Sequence, residues 1–343
     1  MGIIWITIFI DLSILKGEEM KTLYIIGNGF DIAHGLDTSY WNFRTYLENV
    51  DYEFLLAFEK LYNIAWLDQT EYGYSERVQK KWDKAIKEKL WSEFEQNIGV
   101  PDIQSMLDNS SSILDNLCLE SGNIGIQDTM DEYWKQEFGF VSKLQSYVKD
   151  WIEQIDIKHI APKKKALIGD IDSYYLNFNY TNLLEEIYGI DNVLHIHGSV
   201  GKNADIDPFM GHCNSDMITE HEQKFHEAYE SSDEGSASIH NAIVNYLNEI
   251  YKDTSQYIFF NKYFFQRLKE VDNVIIIGWS AGEVDIPYLC RIRDSISKSA
   301  KWTVYYYDAT AYDKLSKALS DNDITGNFAT EFLQSNTFWD TEK

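Results

Sequence analysis

From Lys21 to Gly27 the chain reads Lys-Thr-Leu-Tyr-Ile-Ile-Gly, an apolar run too short for a helix that stops on glycine. Four more runs share its character: Ser173 to Asn177, Val193 to His197, Asn273 to Gly278 and Trp302 to Tyr307. Val, Ile and Tyr dominate them, side chains that fit a pleated, buried surface. A strand with one wet face alternates polar and apolar residues. Near-continuous apolar strands separated by helical segments are covered on both faces, the pattern of a parallel sheet between helix layers. The fold class is therefore α/β, a Rossmann-like parallel sheet.

The interval between the first and second runs is far longer than a crossover needs. Three apolar stripes mark it as helical: Phe54, Leu55, Phe58, Leu61 and Tyr62; Trp82, Ile86, Leu90, Phe94 and Ile98; and Leu144, Tyr147, Val148, Trp151 and Ile155. We expect a large helical insertion or subdomain over 51–159, set into an α/β core of 20–50 and 160–343. Further helices are expected over Leu183–Tyr188, Ile239–Tyr251, Tyr263–Lys269 and Ile286–Ile296. Asn109-Ser110-Ser111-Ser112 reads as a loop, and the stretch from Ser231 to Ser236 as a mobile acidic one.

Residues 1–19 stand apart. The apolar stretch Ile3 to Ile10 is too short to span a bilayer and lacks the basic flank and cleavage site of a secretory signal. Lys16-Gly17-Glu18-Glu19-Met20 can be encoded by purine-rich codons resembling a ribosome-binding site ahead of a start codon. Met20 is accordingly expected as the start, with 1–19 a non-native extension and no membrane partner.

Acidic residues number 55 against 30 basic ones, a net charge of -25. Binding a nucleic-acid backbone takes clustered Lys and Arg, and the one short basic run is Lys163-Lys164-Lys165. It reads as a solvated turn or, alternatively, as a local pocket for a small anion; no direct nucleic-acid partner is expected. Cys118, Cys213 and Cys290 form no Cys-x-x-Cys pair, so inert, reduced thiols in a cytoplasmic protein are expected.

Four segments carry residues suited to chemistry. Tyr24 to Leu36 runs from a strand into Gly27-Asn28-Gly29 and then a helix, which turns backbone N–H groups toward any bound phosphate. It departs from Gly-x-Gly-x-x-Gly because Ile32 takes the third glycine position. Its bland alternative is a tight turn, although Asn28 and Asp31 put two polar side chains at that mouth. Asn179, in Phe178-Asn179-Tyr180-Thr181, falls at a strand's carboxyl end, either as a ligand contact or as a cap for the next helix. His195 and His197 share one face of a strand. One reading makes them metal ligands with His212 and Cys213, although Asp191, Asp205 and Asp207 show no ligand spacing. The sharper reading makes one of them a general base, with Gly198 allowing close approach of substrate. Gly278, Ser280 and Gly282 have nucleophile-elbow spacing, but no histidine follows Ser280. A backbone cradle for ribose or phosphate fits that loop better.

Taken in order, Ile26-Gly27-Asn28-Gly29-Phe30-Asp31 with Ala33-His34-Gly35-Leu36, Trp91-Ser92-Glu93-Phe94-Glu95, Phe178-Asn179-Tyr180-Thr181, His195-Ile196-His197-Gly198, and Ile277-Gly278-Trp279-Ser280 with Gly282-Glu283-Val284-Asp285 resemble the bacteriophage abortive infection AbiH family. That family is similar to SIR2-like nucleotide-binding proteins. The resemblance implies that Asn179 and His197 are the catalytic pair for cleaving the nicotinamide–ribose bond of NAD. It implies that Gly27, Asn28, Gly29, Phe30 and Asp31 hold the diphosphate and ribose, and Gly278, Ser280 and Asp285 the adenosine end. No cofactor or metal is required; NAD, or a related nucleotide, is the substrate or ligand. The four-cysteine zinc ribbon of sirtuins has no counterpart here, which argues against deacetylation. Trp279 stands where the AbiH pattern commonly has His, and Trp41-Asn42-Phe43-Arg44 makes Arg44 a minor candidate for an anion contact.

The leading expectation is an antiphage effector that hydrolyses NAD on infection. A catalytically silent nucleotide sensor acting through a protein partner is the second, and a metal-dependent hydrolase built on His195, His197 and His212 the third. An effector of this kind needs restraint at rest, expected from homo-oligomer contacts or the acidic 229–236 stretch, and a phage-derived trigger.

Overall fold

The computed structural model describes residues 20–64, 76–108, 126–201, 204 and 206–340. The 1–19 extension, the Asn109 to Ser112 loop, Cys118 and Asp205 lie outside them. All five expected strands form: β1 (Lys21–Ile26), β2 (Tyr174–Asn177), β3 (Val193–His195), β4 (Val271–Ile277) and β5 (Lys301–Tyr306). A sixth, β6 (Ala329–Gln334), adds an edge. Every pairing is parallel, in the order β3-β2-β1-β4-β5-β6. This is a Rossmann-like doubly wound sheet, whose direction of winding reverses between β1 and β4.

Period-two alternation sends side chains to two apolar layers. Leu23, Ile25, Leu176, Val274, Ile276, Trp302 and Val304 join one layer. Tyr288, Leu289 and Ile292, from the helix Ile286–Ser295, complete it in part. Ile26, Tyr175 and Ile277 face the other way, against Phe30 of α1 (Asn28–Ala33), among other residues.

A third cluster is mostly helical. It takes Phe43 and Leu47 from α2 (Tyr40–Val50), Phe54 and Phe58 from α3 (Tyr52–Lys60), Ile86 from α4 (Glu76–Ile86), and Phe94 from α5 (Phe94–Asn97). Met130 and Trp134 enter from α6 (Ile126–Phe138), and Val148 and Trp151 from α7 (Leu144–Glu153). The cluster extends beyond 51–159 at both ends of the chain. It includes α2, and also Ile218 of α9 (Ser215–Glu230) and Ile243 and Leu247 of α10 (Glu234–Glu249), numbered to follow α8 (Leu183–Tyr188) on the sheet. The stripe from Trp82 to Ile98 is interrupted by a π-helical turn over Lys87–Trp91, where the Ser92 N–H reaches the Lys87 carbonyl over 2.7 Å. The wider turn buries Leu90 and Trp91 together.

Two expected loops or turns are corrected in part. Ser231 and Ser232 form a tight turn, and Asp233 accepts the Ser236 N–H and starts α10 at Glu234, so the second half of the acidic stretch is helix. Lys163 and Lys165 are exposed, in keeping with a solvated turn, but Lys164 is buried. The Lys163 and Lys164 ammonium groups donate to the Ala33 and Phe338 carbonyls, near the C-terminal ends of two helices. No helix among the described residues is long and apolar enough to cross a membrane.

Candidate functional site

The site is built where the carboxyl ends of β1, β2 and β4 meet, together with the segment after β3. At the β1–β4 switch point the two glycine loops lie against one another. The Gly27 N–H donates to the Ile277 carbonyl over 3.1 Å, and the Gly29 N–H to the Gly278 carbonyl over 2.8 Å. A Cβ on Gly27 would stand 2.5 Å from Trp279 Cα, and one on Gly29 2.7 Å from Gly278 Cα. Gly278 has φ +70°, and its Cβ would fall 2.3 Å from the Phe30 nitrogen. Close approach of the chain's own backbone thus requires glycine at all three positions. Gly198 is required likewise: at φ +81° it admits the Asp207 carbonyl, which a Cβ would meet at 2.1 Å.

The polar candidates separate into two halves. In the first, Asp31 is buried beneath the switch point. Asn179 Nδ2 donates to its Oδ1 over 2.8 Å and Thr181 Oγ1 to its Oδ2 over 2.6 Å. Asn179 Nδ2 also reaches the Gly27 carbonyl over 3.2 Å, while its Oδ1 is buried without a hydrogen-bond partner. Burial pushes the Asp31 carboxyl up to about 7, against the downward pull of the Thr181 and Asn179 hydrogen bonds. Asn28 is turned away, its Nδ2 donating to the Thr38 carbonyl over 2.8 Å, and Phe30 is core.

In the second half, His197 Nε2 lies 3.2 Å from Asp285 Oδ1. Both atoms are buried, and they are near enough to attract but not aligned as a hydrogen bond. Trp279 Nε1 donates to Asp285 Oδ2 over 2.8 Å. Asp285 therefore belongs with His197, whereas Ser280 is exposed on the same loop. The two halves join at the Gly27–Trp279 backbone contact, and no hydrogen bond links Asn179 to His197.

The histidines proposed as metal ligands are committed elsewhere. His195 Nδ1 meets the Asn179 carbonyl at 2.9 Å and Nε2 meets Glu185 Oε1 at 2.6 Å. Burial opposes the charged imidazole, but Glu185, the Asn179 carbonyl and Asp31 together hold its pKa above the usual value. His212 Nδ1 accepts the Asn214 N–H over 3.0 Å, so Nε2 carries the proton that goes to the Leu247 carbonyl. Among the described residues no group of three or more His, Cys, Asp and Glu is arranged to hold a metal. Cys213 and Cys290 are free thiols. Arg44 is not at the site either: it is buried, with Nε 2.7 Å from Glu59 Oε1.

Sequence reasoning assigned no chemistry to Glu95 or Lys252. Glu95 Oε1 accepts from Lys252 Nζ over 2.6 Å, from Tyr180 OH over 3.0 Å and from the Gly211 N–H over 3.3 Å. Burial would raise its carboxyl, but the Lys252 charge and the hydrogen bonds from Lys252 and Tyr180 keep it below the ordinary value. This network ties the helical cluster to the sheet edge beside His197. The Trp91 to Glu95 motif pointed to its acid, while its base lay in a segment with no motif.

These features define an α/β protein whose buried polar groups gather at the switch point of the sheet, beside a helical body. A family model described as bacteriophage abortive infection AbiH matches residues 23–306, a span that contains every one of these groups. The chain belongs to this family, and an abortive-infection role against phage follows from that membership. No curated protein and no solved structure matches it.

Proposed function

We propose that this site hydrolyses NAD, or a closely related nucleotide, at the nicotinamide–ribose bond, and that this activity is the effector step of abortive infection. The observation that carries the reading is the buried His197–Asp285 pair at 3.2 Å. A histidine beside a carboxylate at the carboxyl edge of such a sheet is equipped as a general base. The SIR2-like order of the motifs supplies the choice of substrate.

In this reading Asp285 holds Nε2 and Nδ1 takes the proton. Asn179 Oδ1, with its acceptor capacity unfilled, receives a hydrogen bond from the attacking water. The water oxygen bonds to the ribose C1′, the C1′–N bond breaks with its electron pair leaving on nicotinamide, and the water proton passes to His197. ADP-ribose and nicotinamide are the products. The misaligned pair tightens as substrate seats, as catalytic hydrogen bonds commonly do.

A second reading, the silent sensor, is favoured by the Asn179 amide nitrogen, which is used up in holding Asp31 and Gly27. Incubating the purified full chain with NAD, with and without infected-cell lysate, and following nicotinamide by chromatography separates the two. Release that disappears in His197→Ala and Asn179→Ala supports the hydrolase. Saturable NAD binding without release supports the sensor, and neither signal overturns both.

A further inference from the structure

Trp279 is fully engaged in the loop after β4, and its contacts lead to His197 by two routes. The polar route runs through the indole N–H to Asp285 Oδ2 at 2.8 Å, which leaves Oδ1 turned to His197 Nε2 at 3.2 Å. The apolar route runs through Phe178, which stacks on the indole with ring centroids 6.0 Å apart and meets the His197 ring edge-on at 5.3 Å. Asp285 is 7% exposed and Trp279 5%, so water does not compete well for the carboxylate.

The loop's backbone also fixes the pair. Gly278 at φ +70° and Ala281 at φ +56° bracket Trp279 and Ser280 in left-handed conformations. For Ala281 that conformation costs about 1 kcal/mol or more, so surrounding contacts must hold it. The indole bond closes the loop from Trp279 to Asp285, at the foot of the helix Ile286–Ser295.

We propose that Trp279 is the positioning residue of this site: its N–H fixes the Asp285 carboxylate, and the carboxylate fixes the tautomer and orientation of His197. Trp279 touches no substrate. It acts through Asp285, as a carboxylate orients the base histidine of a hydrolytic triad, with an indole setting the carboxylate in turn. The proposal rests on the reading of His197 as the base.

The test is made on unliganded full-length protein labelled with ring-15N histidine, with His197 identified by the signal lost in His197→Gln. Protonated and bare ring nitrogens differ widely in 15N shift, so the tautomer is read directly, whatever ring current the substitution removes. Wild type is expected to show one neutral tautomer with the proton on Nε2. Trp279→Phe keeps an aromatic ring and removes the N–H; it and Asp285→Asn are each expected to give a mixture of tautomers, and the double variant no more than Asp285→Asn alone. A single Nε2–H tautomer persisting in Trp279→Phe overturns the proposal. In turnover, Trp279→Phe is expected to lower kcat roughly tenfold to a hundredfold with KM within about twofold, and Trp279→His to recover part of the loss. Nicotinamide release unchanged in Trp279→Phe also overturns it. If wild type releases none while the tautomer responds as expected, the NAD reading fails and the positioning role stands.

Discussion

Asn179 and Asp31, 148 residues apart, are joined side chain to side chain over 2.8 Å at the carboxyl ends of adjacent strands. With Thr181 on the other carboxylate oxygen at 2.6 Å, Asp31 has both oxygens occupied by neutral donors and none by a cation. The bond locks the first glycine turn to the strand end that carries Asn179. It also fixes which Asn179 atom is left for a ligand, since Nδ2 is taken and Oδ1 is not.

The Asp31 carboxyl, raised to about 7 by burial, makes a pH prediction with a definite sign. Between roughly pH 4 and 7 the folded chain holds a proton that the unfolded chain has lost, so this group's contribution to stability falls as pH rises through that window. Asp31→Asn removes the term. Relative to wild type, the variant is expected to gain about 2–3 kcal/mol between pH 5 and pH 8, measured by urea unfolding. A difference independent of pH would show that Asp31 ionises normally.

The contact of the two glycine loops predicts an asymmetry among glycines. Gly278→Ala puts a methyl 2.3 Å from the Phe30 nitrogen at φ +70°, and is expected to cost about 3 kcal/mol or more, or to prevent folding. Gly326→Ala, in a short helix over Ile324–Asn327 with nothing within 4 Å of the new methyl, is expected to be neutral or to stabilise by up to about 1 kcal/mol. Thermal unfolding of the two variants checks this, and equal effects would count against the loop contact.

The Glu95–Lys252 pair is buried on both sides, with side chains 7% and 0% exposed. Lys252→Met strands the carboxylate and is expected to cost about 3–5 kcal/mol. Adding Glu95→Gln removes the stranded charge, so the double variant is expected to be more stable than Lys252→Met alone. A double variant whose loss equals the sum of the single ones would mean that the two groups are uncoupled.

What the sequence discloses here is the set of strand ends. Each buried strand announces itself by a continuous apolar run, and the polar residue just past its end, Asn179 or His197, is conspicuous for that reason. β6 escapes because Ala-Thr-Glu-Phe-Leu-Gln lies at the edge with no fully buried residue, leaving no apolar run to read. Pairings across the chain are equally invisible. Asp31 with Asn179 is set by which strands lie side by side, Asp285 with His197 by how the segments after two non-adjacent strands meet, and Glu95 with Lys252 by how the helical body packs; residue spacing encodes none of these. The glycine contacts are hidden for a related reason: a residue that lets backbone approach backbone has the same signature as one that admits a phosphate.

His212 supplies the opposite pH sign to Asp31. Its ring is wholly buried, Nε2 bonded to the Leu247 carbonyl and Nδ1 accepting from Asn214, and burial pushes its pKa down to about 4. The folded ring stays neutral while the unfolded one takes a proton below about 6.5, so its contribution to stability is lost as pH falls from there toward 4. Wild type is expected to lose about 2 kcal/mol more than His212→Asn between pH 7 and pH 5. Asp31→Asn should change the slope in the other direction over an overlapping window, so urea midpoints of the two variants at the same pH values serve as mutual controls. His212→Asn with the same pH slope as wild type would mean that this imidazole is protonated in the folded chain, against the two backbone bonds that define its tautomer.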